Sequence, residues 1–329
     1  MPTPAFHGLF PYRALARCSA AALACALSMP LAAQPAQPSP PADAAKPDTQ
    51  LVESYRMADD KGDADAMNNL GVMYENGLSV VQSDTQAVQW YRKAADKGNA
   101  AAMYNLGRMY YNGQGVDQNF TQAAQWFRKA ADKDNADAMN NLGVMYENGQ
   151  GVAQSNTQAV QWYRKAANKG DAFAMLNLGL MYYNGQGVAQ SNTQAVEWFR
   201  KAADKDNANA MYKLGGMYNE GKGVAQSNTQ AVEWFRKAAD KGNANAMSNL
   251  GWMYANGQGV AQSDSQAVQW FRKAADKGNA AAMYNLGVMY ANGQGVAQSD
   301  AQAIEWYGKA ARAGHEKAKT LLRKNSLSW

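Results

Sequence analysis

Apolar and small residues recur along this chain at spacings typical of amphipathic α-helices. Residues at i, i+3, i+4 and i+7 share one face of a helix. The first such face, on a segment termed helix A, collects Met67, Leu70, Gly71 and Tyr74. The second, on a segment termed helix B, collects Ala87, Trp90, Tyr91, Ala94 and Ala95. Gly77 and the residues after it predict a loop between the two helices.

This pair of helices recurs with a period of 36 residues. The methionines that mark helix A are Met67, Met103, Met139, Met175, Met211, Met247 and Met283. The tryptophans that mark helix B are Trp90, Trp126, Trp162, Trp198, Trp234, Trp270 and Trp306. One helical hairpin cannot bury both apolar faces, whereas stacked neighbours can. The sequence therefore predicts an all-α fold, an α/α solenoid of seven 36-residue helix-turn-helix repeats with terminal capping helices.

Polar residues beside each helix predict where it begins and ends. Ser83 precedes helix B, and Gln86 three residues later would complete a capping box. Gly98 favours a left-handed C-cap after helix B, and Asn99 would cap the next helix A. Both ends of the array carry one further partial helix, and these predicted caps are 51–62 and 316–324.

Small residues predict close contact within each hairpin. Gly71 on helix A and Ala87 and Ala94 on helix B leave room for the two helices to approach. A column is here the set of equivalent positions in the seven repeats. We expect the Trp90 and Tyr74 columns to fill the remaining space, which places the tryptophans in the core.

The N-terminal fifty residues have a different composition. Arg13 and Arg17 precede an apolar run of small residues that ends at Ala32 and Ala33. This arrangement is typical of a secretory signal peptide and is too short for a membrane span. We predict an exported protein, periplasmic or alternatively secreted, without a transmembrane span in the mature chain. The predicted organisation is a signal peptide (1–33), a disordered linker rich in Pro, Ala and Gln (34–50), the solenoid (51–324) and a tail (325–329).

Charge and residue types exclude several classes of function. The net charge is +5 and the basic residues are dispersed, so no nucleic-acid surface is expected. Cys18 and Cys25 would leave with the signal peptide, and His315 is the histidine that would remain. We find no catalytic arrangement or metal-ligand cluster, and we predict neither enzymatic activity nor a cofactor.

The repeated residues resemble a known family. The copy at 138–170 reads A-x-x-x-L-G-x-x-Y, then G-x-G-V, then A-x-x-W-Y-x-K-A-A-x-x-G. This pattern is similar to the Sel-one-like repeat (SLR), a relative of the tetratricopeptide repeat. The resemblance implies a right-handed superhelix and an interaction scaffold of a kind often exported by bacteria. One disulfide-rich branch of that family resembles penicillin-binding or β-lactam-hydrolysing proteins, but its cysteine pair per repeat is missing here.

Differences among the seven copies concentrate on helix A. Three columns vary, those of Asn68, Val72 and Glu75, and their i, i+4, i+7 spacing places them on one face. By resemblance to tetratricopeptide proteins, this face would line a concave groove that contacts ligands. Aromatic and arginine side chains are typical interface anchors, and neutral drift is the alternative. The predicted groove residues are Asn68, Glu75, Tyr104, Arg108, Tyr111, Glu147, Leu176, Tyr183, Tyr212, Trp252 and Tyr284.

An asparagine column lies beside these positions. Asparagine is a poor residue for a helix interior, so its recurrence needs a reason. An asparagine ladder could bind the backbone of an extended peptide, because the amide both donates and accepts hydrogen bonds. Hydrogen bonds between helices are the structural alternative. The candidate ladder is Asn69, Asn105, Asn141, Asn177, Asn249 and Asn285.

These features favour an exported scaffold that binds a protein or peptide in the groove. Binding of cell-wall glycan is an alternative, because aromatic faces also stack on sugars. An enzyme acting on the cell wall or on β-lactams is a third reading.

Overall fold

The structure is a computed structural model, and it describes Val52, Glu53, Tyr55, Met57 and residues 61–329. The predicted signal peptide (1–33) and linker (34–50) lie outside the described residues. Fifteen helices follow one another within 61–329. Their bounds are α1 (Ala64–Asn76), α2 (Asp84–Asp96), α3 (Ala100–Asn112), α4 (Phe120–Ala131), α5 (Ala136–Asn148), α6 (Asn156–Asn168), α7 (Ala172–Asn184), α8 (Asn192–Ala203), α9 (Ala208–Glu220), α10 (Asn228–Asp240), α11 (Ala244–Asn256), α12 (Asp264–Asp276), α13 (Ala280–Asn292), α14 (Asp300–Arg312) and α15 (Glu316–Lys324).

Helices pack against their neighbours in the chain, as in a solenoid. The odd-numbered helices from α1 to α13 are the seven A helices, and the even-numbered helices from α2 to α14 are the seven B helices. Each A helix packs against the B helix of its own repeat, and each B helix packs against the A helix of the next repeat. One hydrophobic core runs through the stack from Met67 to Met289. The predicted all-α solenoid of seven repeats is confirmed.

The predicted caps form, but another contact replaces the reciprocal bond of the capping box. Ser83 accepts a hydrogen bond from the Gln86 N–H at 3.3 Å. The Ser83 N–H donates to the Tyr74 carbonyl at 2.9 Å, which ties the start of helix B to the end of helix A. The same backbone bond recurs in all seven repeats. Asn99 caps α3 as predicted, and its amide also donates to Asp65 of the preceding repeat at 2.6 Å.

The loop between helices A and B explains one departure from the repeat. Gly115 has φ +67°, and a Cβ there would overlap the Asp84 carbonyl at the start of the preceding B helix. Glycine is therefore required where the loop of one repeat packs on the previous repeat. Ser79 occupies this position in the first repeat with φ 62°, where the described residues hold no complete preceding B helix.

In the first six repeats, the most buried aromatic residue of the B helix is the one after tryptophan, which corrects the predicted role of the tryptophans. Tyr163 is 0% exposed, and its ring fills the space that a Cβ on Gly143 would occupy. Trp162 is half-buried and packs at the margin of the core. The Lys165 ammonium lies over its indole, 4.1 Å from the ring centroid. The equivalent lysine covers the equivalent tryptophan in every repeat.

A second recurring contact joins successive repeats. Arg92 donates to the Tyr110 hydroxyl at 2.7 Å and so links α2 to α3. The equivalent arginine and tyrosine are bonded at the other five junctions between repeats. The seventh repeat is followed by the capping helix, and Gly308 stands at its arginine position.

Short apolar clusters close the two ends of the stack. Val52 is buried against Leu70 and Met73 at the N-terminal end. Helix α15 buries Ala318 and Leu322 at the other end. Both clusters agree with the predicted capping helices. Within the part of the chain that the structure describes, every helix is too short or too polar to cross a membrane.

Candidate functional site

The three variable columns of the A helices form one surface, here termed the A face. It consists of the positions equivalent to Asn68, Val72 and Glu75. The predicted groove residues on this face are half-buried, apart from Leu176. Leu176 is only 7% exposed and belongs to the core, so it supplies packing rather than a surface for a partner.

Several aromatic rings of the A face contact a phenylalanine ring of the neighbouring B helix. The Tyr104 ring centroid lies 5.8 Å from that of Phe127, and Tyr212 has the equivalent contact in the fifth repeat. Tyr111 meets Phe120 edge to face at 5.2 Å. These contacts orient each ring and leave part of it at the surface.

The aromatic residues of the last two repeats lie in different surroundings. The Tyr284 ring stacks on His315 with centroids 4.5 Å apart, and it also contacts Tyr307. Tyr284 is therefore engaged by the C-terminal capping segment. Trp252 is half-buried against the core of the sixth repeat. The tyrosines that lie centrally on the A face belong to the second, fourth and fifth repeats.

Two A-face tyrosines bond to the loop of the following repeat. Tyr111 donates to the Gln150 side chain at 2.9 Å. Tyr183 accepts a hydrogen bond from the Lys222 ammonium at 3.1 Å, and that ammonium lies 5.5 Å from the tyrosine ring centroid. These bonds orient both rings across a junction between repeats.

The two glutamates of the A face accept hydrogen bonds from buried tyrosines. Tyr91 donates to Glu75 at 2.6 Å, and Tyr163 donates to Glu147 at 2.6 Å. Burial, and secondly the adjacent carboxylate, raise the pKa of both phenols, so they stay protonated. Sequence reasoning missed this role, although the signal is visible. Glutamate occupies this column only where helix B carries a buried tyrosine, and the four copies with phenylalanine there lack it.

The arginine predicted for the groove forms an ion pair between repeats. Arg108 of the second repeat bonds to the Glu75 carboxylate of the first repeat. The two side chains are 19% and 15% exposed, so water is largely excluded from the pair. Glu75 therefore has two internal partners, Tyr91 in its own repeat and Arg108 across the first junction.

The asparagine column is used in part for contacts between repeats. Asn105 donates to Asn68 at 3.1 Å, and Asn177 donates to Asn140 at 3.1 Å. The residue after methionine in one repeat therefore faces the asparagine column of the next. The other four ladder residues, all half-buried, are Asn69, Asn141, Asn249 and Asn285. Hydrogen bonding between helices explains two members, and peptide binding by the column stays a prediction.

The fifth repeat departs from the others on this side. Lys213 replaces the ladder asparagine, and Gly216 occupies a column in which other repeats carry larger side chains. A Cβ on Gly216 would meet no atom within 4 Å, so the space beside it is open. Lys222 pairs with Glu220 at 2.7 Å near the end of the same helix.

Asp171 is a titratable group with a raised pKa, and its contacts give it a structural role. In that region, no group of three or more His, Cys, Asp or Glu side chains is arranged to hold a metal ion. Burial, and to a lesser degree the charge of Asp137, raise the pKa of Asp171 to about 6. Asp171 caps α7 by accepting a hydrogen bond from the Ala174 N–H at 2.5 Å. Its burial is thus explained by a helix cap at a junction between repeats.

Stacked helical hairpins with a variable A face define the class of α/α-solenoid scaffolds. A family model of the Sel1 repeat matches seven consecutive segments: 64–99, 100–135, 136–171, 172–207, 208–243, 244–279 and 280–315. The chain belongs to the Sel1 repeat family. Sel1 repeat proteins are generally protein–protein interaction scaffolds, and their solenoid is typically non-enzymatic.

Two solved structures are similar to most of this chain. A protective antigen of uropathogenic Escherichia coli strains, which displays an SLR fold, is 36% identical with a TM-score of 0.76. That similarity covers 82% of this chain and 58% of the antigen. A Sel1 repeat protein from Oxalobacter formigenes is 34% identical with a TM-score of 0.69, over 83% of this chain and 79% of that one. Comparison with curated proteins gives no match.

Proposed function

We propose that the protein is an exported scaffold that binds an extended peptide segment of a partner protein along its A face. The observation that carries the proposal is the set of half-buried A-face tyrosines in the second, fourth and fifth repeats: Tyr104, Tyr111, Tyr183 and Tyr212. The chain holds each ring along one edge and leaves the rest at the surface. Rigid aromatic side chains are common interface anchors because they lose little entropy on binding.

Contacts between A helices support a groove on this side of the stack. Asn105 bonds to Asn68, and Arg108 bonds to Glu75, so helices α1 and α3 touch directly. Helices that touch across repeats lie on the inner side of a curved stack, where the spacing is smallest. An inner surface can contact a peptide from more than one side.

The asparagine ladder supports an extended conformation for the bound peptide. Asn105 contacts Asn68, 37 residues earlier. The same alignment of neighbouring A helices places Asn141 beside Tyr104 and Asn249 beside Tyr212. An amide at such a position can bond the backbone of a peptide while the neighbouring ring contacts its side chain.

Selection from a peptide-display library on the full-length protein tests this proposal. The affinity of a selected peptide is then measured by fluorescence anisotropy. Replacing Tyr104, Tyr111 and Tyr183 with alanine should weaken binding at least about tenfold, because hot-spot aromatics each contribute more than about 1 kcal/mol. Some loss of thermal stability is expected as well, since these rings contact the core.

The matched control is Trp126→Ala, which removes an aromatic side chain of the second repeat from its B helix. It should lower stability without changing affinity. Equal weakening by both variants, or undiminished binding by the triple variant, would contradict the proposal. Retention of the protein on purified cell-wall polysaccharide, lost in the triple variant, with no peptide selected would favour glycan binding instead.

The proposed export is tested separately. Expression of the full chain in a Gram-negative host should yield a protein that begins near residue 34, found in the periplasm or the medium and identified by its intact mass. A full-length chain retained in the cytoplasm would contradict export and leave the binding proposal intact.

A further inference from the structure

Lys213 differs from every equivalent residue on the A helices. The other six repeats carry asparagine at this position: Asn69, Asn105, Asn141, Asn177, Asn249 and Asn285. Lysine only donates hydrogen bonds, so the replacement changes what this place can bind. The side chain is half-buried, and burial lowers its pKa while the charge of Glu220 opposes that shift.

The neighbour of Lys213 in the preceding repeat is apolar. Asparagines in this column bond to the residue after methionine in the repeat before them. In that register Lys213 faces Leu176, which is buried and has no acceptor in its side chain. Glu220 is the nearest acid along the helix, and its carboxylate pairs with Lys222. Among the described residues, no carboxylate forms an ion pair with Lys213.

The space beside Lys213 is open. Gly216 lies three residues further along α9, on the same side of the helix, and a Cβ there would meet no atom within 4 Å. Other repeats carry Val, Arg, Leu or Trp at this position. In the register of Arg108 on Glu75, Gly216 faces Tyr183 of the fourth repeat.

At the junction of the first and second repeats, an ion pair occupies the positions equivalent to Gly216 and Tyr183. There the cation of Arg108, in the Gly216 column, bonds to the carboxylate of Glu75, in the Tyr183 column. At the junction of the fourth and fifth repeats a cation is present one turn earlier, as Lys213. Tyr183 stands where the first repeat has Glu75, so no carboxylate occupies that place, and Gly216 leaves room for one.

We propose that the junction of the fourth and fifth repeats binds an acidic side chain of the partner peptide, with its carboxylate beside Gly216 accepting a hydrogen bond from Lys213. This inference rests on the proposed peptide binding and specifies its ligand class. Lys213 and Lys222 are matched by one acid, Glu220, so the site has a net positive charge that a carboxylate complements. In the alignment that pairs Arg108 with Glu75, Tyr183 is the neighbour of Gly216, so its ring would contact the apolar part of a bound glutamate.

Two fluorescein-labelled peptides that differ only in charge test the proposal. They are (Gly-Glu-Leu-Gly)3 and (Gly-Gln-Leu-Gly)3, titrated with the full-length protein by fluorescence anisotropy. The wild type should bind the acidic peptide about tenfold more tightly. Lys213→Asn, which installs the residue of the other repeats, should remove this preference and leave the affinity for the glutamine peptide unchanged. Gly216→Val should also remove the preference, because it fills the open space.

The control variant is Lys205→Asn, which removes an exposed positive charge from the turn between α8 and α9 and should keep the preference. A wild type that does not prefer the acidic peptide, or a preference that survives Lys213→Asn, overturns the acidic-residue proposal. An equal loss in Lys205→Asn points to non-specific attraction and also overturns it. Polygalacturonate binding that depends on Lys213, with no binding of the acidic peptide, assigns the site to an anionic glycan instead.

Failure of the proposed function gives a different result. In that case the variant lacking Tyr104, Tyr111 and Tyr183 binds both peptides as the wild type does. If the tyrosine variant loses both peptides while Lys213→Asn changes nothing, the A face binds peptides and only its acidic specificity is wrong.

Discussion

The pair of Glu147 and Tyr163 allows the internal role of the A-face glutamates to be measured apart from any role in binding. Tyr163 is 0% exposed, and its hydroxyl donates to Glu147 at 2.6 Å. Glu147→Ala leaves that hydroxyl in the core without its acceptor. An unsatisfied buried hydroxyl costs about 1–3 kcal/mol, with charged acceptors toward the upper end. We therefore expect the free energy of unfolding to fall by about 2 kcal/mol.

A double-mutant cycle isolates this hydrogen bond from the other contacts of Glu147. Tyr163→Phe removes the hydroxyl, and the ring should still fit because four of the seven repeats carry phenylalanine there. In that background, Glu147→Ala should cost less than about 0.5 kcal/mol. Urea unfolding followed by circular dichroism measures all four proteins. An equal cost of Glu147→Ala in both backgrounds would refute the reasoning, because the glutamate would then serve something other than the tyrosine.

Three further predictions concern packing, the loop and pH. Tyr163→Ala should cost about 3–5 kcal/mol in urea unfolding and Trp162→Ala about 1–2 kcal/mol, since only Tyr163 is fully buried; equal losses would place the indole in the core. Gly151→Ala should lower the melting temperature more than Gly170→Ala, because both have positive φ but only a Cβ on Gly151 would overlap the preceding repeat; equal shifts would contradict this. The pKa of Asp171 is raised to about 6, so its contribution to stability is full below about pH 4 and is lost as the pH rises through 6. Asp171→Asn should therefore stabilise the protein by about 2 kcal/mol near pH 7.5 and leave stability unchanged near pH 4, and an equal gain at both pH values would disprove the assignment.

The fold could be predicted because its determinants are local or recur with the repeat period. Ser83 and Asn99 begin helices by accepting hydrogen bonds from backbone N–H groups three residues further along the chain. Gly98 ends a helix through its own backbone conformation, with φ +90°. Such signals do not depend on tertiary contacts, and seven copies repeat each of them.

The centre of the B-helix face could not be placed from the hydrophobic pattern alone. Trp90 and Tyr91 are adjacent, roughly 100° apart around the helix, and the pattern is compatible with burial of either ring. The structure buries Tyr91 together with Val88, which turns the face away from Trp90. Lys93 carries the missing signal, because a charge three residues after Trp90 lies on the same side and must stay at the surface.

The A-face residues were harder to interpret because their roles depend on pairs. Arg108 has the sequence pattern of an anchor for a ligand, but its partner Glu75 lies 33 residues earlier in the preceding repeat. A contact of this kind depends on the register between stacked helices. The repeat period indicates which repeats are neighbours and leaves open which side chains meet.

This pairing changes which residues can carry recognition. A side chain that is already bonded within the chain must give up that bond to a ligand, so its net contribution to affinity is small. Arg108 is in this position, and the first junction therefore contributes shape more than affinity. Tyr111 and Tyr183 bond through their hydroxyls and keep part of each ring at the surface, while Lys213 has no ion-pair partner among the described residues. Affinity should consequently concentrate between the second and fifth repeats, with the cation at the later end. A bound peptide would then place an apolar or aromatic residue at the second repeat and an acidic residue at the fifth, and that order would set its direction along the stack.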